Sequence, residues 1–155
     1  YIFSFKGSAQ WKGIDASLYL QGVAKWKGYL SSEARHCFIN DYSVPKVEHL
    51  DRWTPTNTNA SYPRLYQGQS HNLLFSDYWI ENAAYLRLKN VQVGYTLPKK
   101  WISAAGIDKI RLYFSADNLC TFTNYFGGYD PEVHASSGDA YPQVKTFIFG
   151  VQATF

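Results

Sequence analysis

Residues 144–155 alternate between two characters, and this period of two constrains the chain more than any other feature. Phe147, Phe149, Val151, Ala153 and Phe155 fall on one side of an extended strand. Val144, Thr146, Ile148, Gly150, Gln152 and Thr154 fall on the other. Successive side chains of a strand point to opposite faces, so the pattern predicts a β-strand with one apolar and one mixed face. The run closes on an aromatic residue. Termini ordinarily fray in water, so Phe155 suggests an end held in apolar surroundings.

A lipid-facing strand of an outer-membrane barrel would meet that condition, and the composition allows it. Aromatics make up 18% of the 155 residues while charged residues make up 17%. Barrels collect aromatics in girdles at both membrane interfaces and alternate their strand faces, so their average hydropathy stays low. The mean hydropathy of −0.31 is compatible with that arrangement. No apolar run approaches the ~20 residues of a transmembrane helix, which leaves strands as the way to cross a membrane.

Other function classes find little support. A net charge of +3 without any basic run does not suggest nucleic-acid binding. His36, His49, His71 and His134 are scattered, with no zinc-ligand spacing. Cys37 and Cys120 are read as two unpaired thiols, although an oxidising compartment would let them pair. No Ser-His-Asp or Cys-His arrangement and no nucleotide loop is legible, so neither catalysis nor a cofactor is expected.

The alternation recurs along the chain. Strands are predicted at about 1–11, 14–26, 78–97, 108–119 and 143–155. Lys12-Gly13 reads as a tight hairpin turn. The third strand changes phase, from Leu86 and Leu88 to Val91, Val93, Tyr95 and Leu97, and a one-residue bulge near Lys89-Asn90 would return both sets to one face. Between the strands, turns at 12–13 and 98–107 are short, while the segments at 27–77 and 120–142 are long and rich in turn residues. A roughly fifty-residue irregular segment is unusual in a compact soluble domain and expected of an external barrel loop. That polarity places Trp11 and Leu97 near the inner rim, and Tyr78, Trp79 and Phe147 near the outer one. The first residue is Tyr1 and no export signal precedes it, so the chain is expected to be the tail of something longer.

These residues resemble a known family. Tyr85-Leu-Arg-Leu-Lys-Asn-Val-Gln-Val-Gly-Tyr-Thr-Leu-Pro98, followed by Ile110-Arg-Leu-Tyr-Phe-Ser-Ala-Asp-Asn-Leu119, is similar to the carboxyl-terminal signature of SusC/RagA-type TonB-dependent outer-membrane transporters. Lys12-Gly-Ile-Asp15, Leu20-Gln-Gly-Val23, Asp51-Arg-Trp-Thr-Pro55, Tyr62-Pro-Arg64, Gly128-Tyr-Asp-Pro-Glu132 and Tyr141-Pro-Gln-Val-Lys-Thr-Phe-Ile-Phe-Gly-Val151 extend the likeness in order. Thr56-Asn57 and Cys120 depart from it mildly. The resemblance implies an all-β fold, a transmembrane antiparallel β-barrel of about 22 strands around a plug. This chain would supply its last five strands, with the plug and the TonB-contacting segment upstream. It further implies import of large nutrients, glycans or oligopeptides, across the outer membrane with a SusD-like surface lipoprotein as partner. The alternative is a secreted β-sandwich that binds glycans through exposed aromatics.

Candidate site residues follow. Trp53, Tyr62, Tyr66, Tyr125 and Tyr129 could stack on a sugar or flank a peptide near the mouth. Phe155, with Phe149, Val151 and Ala153, could be the signal read by the barrel-assembly machinery. Asp130, Glu132 and Asp139 share one loop and are weak candidates for Ca²⁺, against the ordinary use of Asp-Pro in turns. Asp15, Lys109, Arg111 and Asp117 are expected to face the lumen as a polar network.

Overall fold

The computed structural model describes residues 1–30, 35–40, 43–68, 70–103, 106–133 and 141–155. Among the described residues, seven strands follow in chain order: β1 (Ile2–Trp11), β2 (Ile14–Val23), β3 (Lys27–Tyr29), β4 (Ile80–Asn82), β5 (Tyr85–Thr96), β6 (Lys109–Thr123) and β7 (Thr146–Thr154). A short helix, α1 (Lys99–Ile102), lies between β5 and β6. The five long strands form one antiparallel meander, β1-β2-β5-β6-β7, while β3 and β4 pair as a separate ribbon. The large sheet is open, with β1 and β7 as its edges.

Period-two patterning fixes the register. Trp11 faces Ile14, Ile14 faces Tyr95, Tyr95 faces Leu112 and Leu112 faces Val151. Directly paired residues share a face, so one apolar surface crosses all five strands. The bulge falls where the phase change places it. Pairing jumps from Leu88 to Asn90, leaving Lys89 outside the ladder. On β6 the jump runs from Asp117 to Cys120, with Asn118 at φ 52°. Leu86 and Leu88 thereby rejoin the face of Val91 and Val93.

Several boundaries differ from the sequence reading. The strand expected over 14–26 ends at Val23, because the chain turns through Lys25 at φ 55°. The strand expected over 78–97 is three pieces. Residues Asp77–Trp79 form a 3-10 turn, started by the Ser76 hydroxyl accepting from the Tyr78 amide. The ribbon strand β4 and then β5 follow. The strand expected over 108–119 continues to Thr123, since the bulge re-aims the chain without ending the ladder. The strand expected over 143–155 is regular over Thr146–Thr154.

The other face is polar and is tied together across strands. Arg111 on β6 grips both carboxylate oxygens of Asp15 on β2, with Nε donating to Oδ1 at 2.9 Å. The pair passes over Gly94 of β5, where a Cβ would stand 2.6 Å from Arg111 Nε and 2.7 Å from Asp15 Oδ1. Only glycine leaves that path open. Further up, Asn90 donates to Ser115 at 3.1 Å and to Asp117 at 2.6 Å. Replacing Gly94 with valine should displace the Arg111–Asp15 pair and lower the unfolding midpoint. Thermal unfolding of the folded protein measures this, and an unchanged midpoint would contradict the bridging role.

Candidate functional site

The sheet offers two unlike surfaces, and the loop cluster beyond its upper end offers a third. The apolar surface carries Phe3, Phe5, Trp11, Ile14, Leu18, Val93, Leu112, Phe147, Phe149 and Val151, all exposed. Phe149 is 80% exposed, although its ring centroid lies 4.8 Å from that of Phe114. Contiguous apolar surface on this scale marks an interaction with lipid or protein rather than water. Phe149, Val151 and Ala153 stand on this face, and Phe155 continues the same alternation beyond β7. A β-sandwich would cover such a face with a second sheet, but among the described residues the only other sheet is the three-residue ribbon β3–β4.

Above the sheet, the long segments pack into a core of their own. Leu30, Cys37, His49, Tyr62, Trp79 and Ala83 are buried there. The His36 ring meets Trp79 edge-on at 4.6 Å, and His49 meets Tyr62 at 4.8 Å. The Lys46 amide donates to His49 Nδ1 at 2.8 Å, so Nε2 carries the proton and donates to the Arg35 carbonyl at 2.8 Å. Arg35 is the hinge of this core. Its guanidinium pairs with Glu81 and lies 5.1 Å from the Trp79 ring and 4.9 Å from Phe126. One cation thus joins the segment before β4 to the loop after β6.

Arg87 performs the same task from inside the sheet. It is 1% exposed, at the polar face of β5. Its Nη2 donates to both oxygens of Asp130 at 2.7 Å, Nη1 to Glu132 at 2.7 Å and Nε to Thr121 at 2.8 Å. Lys89, put out of register by the bulge, adds a 3.0 Å bond to Glu132, and Tyr85 donates its hydroxyl to the same carboxylate. Burial alone would raise the Glu132 pKa, but hydrogen bonds from Tyr85 and Lys89 with the charges of Arg87 and Lys89 hold it below the ordinary value. Asp130 and Glu132 are therefore engaged by cations in this arrangement, and no group of three or more His, Cys, Asp or Glu able to share a metal occurs among the described residues. Asp139 lies outside the described residues.

The five candidate aromatics separate. Trp53 (39% exposed) and Tyr66 (47%) present surface to solvent. Tyr62 is 6% exposed and enclosed by His49 and Trp79, so its ring is not offered to a ligand. Tyr125 lies over Gly28, where a Cβ would stand 2.4 Å from its ring, and burial raises its pKa. Tyr129 stacks on Phe126 at 5.7 Å beside a cleft of about 400 Å³ that Lys46, Glu48 and Asp130 also line. Neither Cys37, in the loop core, nor Cys120, on the sheet, forms a disulfide. Sequence reasoning missed Arg35 and Arg87 as organisers. For Arg87 a signal existed, a lone charge in the polar phase of β5 just before the bulge.

No protein-family model matches the chain. It is 27% identical over 168 aligned residues to TonB-dependent receptor P3 of Formosa agariphila, covering all of this chain and 16% of that protein. It is 34% identical over 104 residues to TonB-dependent receptor SusC of Bacteroides thetaiotaomicron, covering 64% of this chain and 10% of that one. Among solved structures, the RagAB peptide importer in its open-open state matches with a TM-score of 0.78 at 29% identity, over 99% of this chain and 17% of that chain. Its closed-closed state matches with a TM-score of 0.78 at 30% identity, over the same shares. The chain spans less than a fifth of each of these relatives.

Two outcomes follow from the loop geometry. Arg87→Met leaves the half-buried Asp130 without its arginine and Glu132 with Lys89 as its remaining cation, which should cost about 1–3 kcal/mol and accelerate hydrogen exchange and proteolysis across 124–133. Unaltered protection there would contradict the clamp. His36 is held neutral, its pKa lowered from 6.5 to about 4 by burial and by the neighbouring charge of Arg35. Because the unfolded segment binds the proton more readily, its contribution to stability is complete above 6.5 and declines as pH falls towards 4. Trp79 fluorescence should report loosening of the loop core over that window, and a His36→Phe variant should show less of it.

Proposed function

We propose that this chain, a segment of a TonB-dependent receptor of the SusC/RagA type, forms part of the barrel wall and outer mouth of an outer-membrane importer for large nutrients. The observation that carries the reading is the two-faced sheet. Its apolar side is continuous and unpacked, its polar side is bridged by Asp15–Arg111 and Asn90–Asp117, and the whole chain aligns with one stretch of RagAB. A strand in hydrocarbon needs every backbone group paired, so β1 and β7 would pair with further strands of the same barrel. The polar face would line the lumen against a plug, and the short turns would face the periplasm. The TonB complex would act through a segment outside this chain.

The likeness to RagAB is equal for its open and closed states. This supports a wall segment that keeps one internal fold in both states. Of the candidate aromatics, Trp53, Tyr66 and Tyr129 would meet cargo or a SusD-like lipoprotein at the mouth, while Tyr62 and Tyr125 would hold the loops in shape. The cargo is read as glycan or oligopeptide. Phe149, Val151, Ala153 and Phe155 would be the strand presented to the assembly machinery.

Uptake of labelled oligosaccharides and oligopeptides by cells carrying the full-length receptor tests the importer. The expected result is uptake of one class that ceases when TonB is removed, and TonB-independent uptake would contradict it. Trp53→Ala with Tyr66→Ala should weaken cargo or lipoprotein binding several-fold without changing the amount of folded receptor. Phe155→Asp should reduce heat-modifiable, assembled barrel in outer membranes, whereas normal assembly would remove the signal role.

A further inference from the structure

Two short turns leave the same end of the sheet, and both are basic. Lys12-Gly13 joins β1 to β2, and residues 97–108 join β5 to β6, side by side because β2 pairs with β5. Their charged residues are Lys12, Lys99, Lys100 and Asp108. Lys99 approaches Asp108 only at 3.4 Å with both side chains largely exposed, so that pair is weak and the rim stays net positive. Trp11 and Trp101 stand exposed at the same rim. The Lys12 ammonium lies 4.7 Å over the Trp11 ring, and Trp11 belongs to the apolar face. That cation is therefore on the side the wall reading gives to lipid.

Immediately beyond the turns the apolar face carries a shallow, open depression. The depression measures about 500 Å³ and is lined by Ile14, Val93, Tyr95, Leu112, Phe114 and Phe149, with no charged side chain. Ile14 directly follows the first turn, with Tyr95 opposite it and Leu112 opposite Tyr95. A cationic, tryptophan-flanked rim above an apolar hollow matches an amphiphile with an anionic head. Tryptophan settles at the interface, basic side chains attract anionic lipid, and the hollow takes hydrocarbon.

We propose that this corner is a binding site for an anionic phospholipid of the leaflet facing the short turns. Its phosphodiester lies among Lys12, Lys99 and Lys100, and one acyl chain lies along Ile14, Val93 and Leu112. The site rests on the wall reading above. A zwitterionic phospholipid offers the same phosphate, but its own ammonium offsets the attraction. The expected ligand is accordingly a phospholipid whose headgroup carries net negative charge.

The test uses the full-length receptor in nanodiscs of equimolar phosphatidylglycerol and phosphatidylcholine, with bound lipid identified by native mass spectrometry. The receptor should retain phosphatidylglycerol in preference. The Lys12→Gln/Lys99→Gln/Lys100→Gln variant should lose that preference by roughly fivefold per lysine at most, and at least tenfold in all. Leu112→Trp, which fills the hollow, should reduce retained lipid of both kinds. Lys25→Gln/Lys27→Gln, at the opposite rim, should leave the preference intact. A membrane-inserted receptor without headgroup preference, or one that loses it equally through Lys25 and Lys27, would overturn the site alone. A receptor that remains soluble and lipid-free would overturn the wall reading as well.

Discussion

A strand placed in hydrocarbon has no water to satisfy its backbone, so it must find every hydrogen-bond partner in neighbouring strands. Under the proposed barrel-wall reading, the rest of this structure depends on that constraint. On that reading it accounts for the five long strands forming a single meander, and the two sheet edges would be places where more strands belong. It also explains why side chains divide so strictly between the faces. Apolar groups would meet lipid on one side, and away from the rims charges gather on the other, where Arg111 finds Asp15 across Gly94. A one-residue slip would exchange the two faces, so the bulge at Lys89 is a necessary correction of phase.

The same economy of charge organises the outer loops. Two arginines, each buried, gather segments distant in sequence. Arg87 holds Asp130 and Glu132 from the sheet below, and Arg35 joins Glu81, Trp79 and Phe126 above it. A buried cation whose carboxylates are removed is strongly destabilising, so these contacts make each loop depend on the other elements. In the proposed importer the outcome would be a mouth of defined shape that carries the exposed Trp53 and Tyr66.

Much of the sheet was legible because period-two alternation reports local backbone geometry directly. The faces of β1, β2, β6 and β7, the Lys12-Gly13 turn and the bulge near Lys89 all follow from which residues alternate. The loop core was not legible. Arg35 and Glu81 are 46 residues apart, and Arg87 and Asp130 are 43 apart, so no local pattern announces either pair. Tyr62 read as a candidate ligand platform because aromatics in a turn-rich segment look exposed. It is buried because His49 and Trp79, from two other stretches, close over it. The break after Val23 escaped for a similar reason, since Lys25 carries no glycine-like signal for its positive φ.

The central claim is that the apolar face meets lipid while the opposite face does not. Spin labels placed singly at Leu112, Phe149 and Val151, and at Ser115, Gln92 and Gln152, on the full-length receptor in bilayers read this most directly. Relaxation by dissolved oxygen against a water-soluble nickel complex separates the two environments. The account predicts high oxygen and low nickel accessibility at the first three sites, and the loss of that signature at the other three. Water accessibility at Leu112, Phe149 and Val151, or a lipid signature shared by both sets, would contradict it.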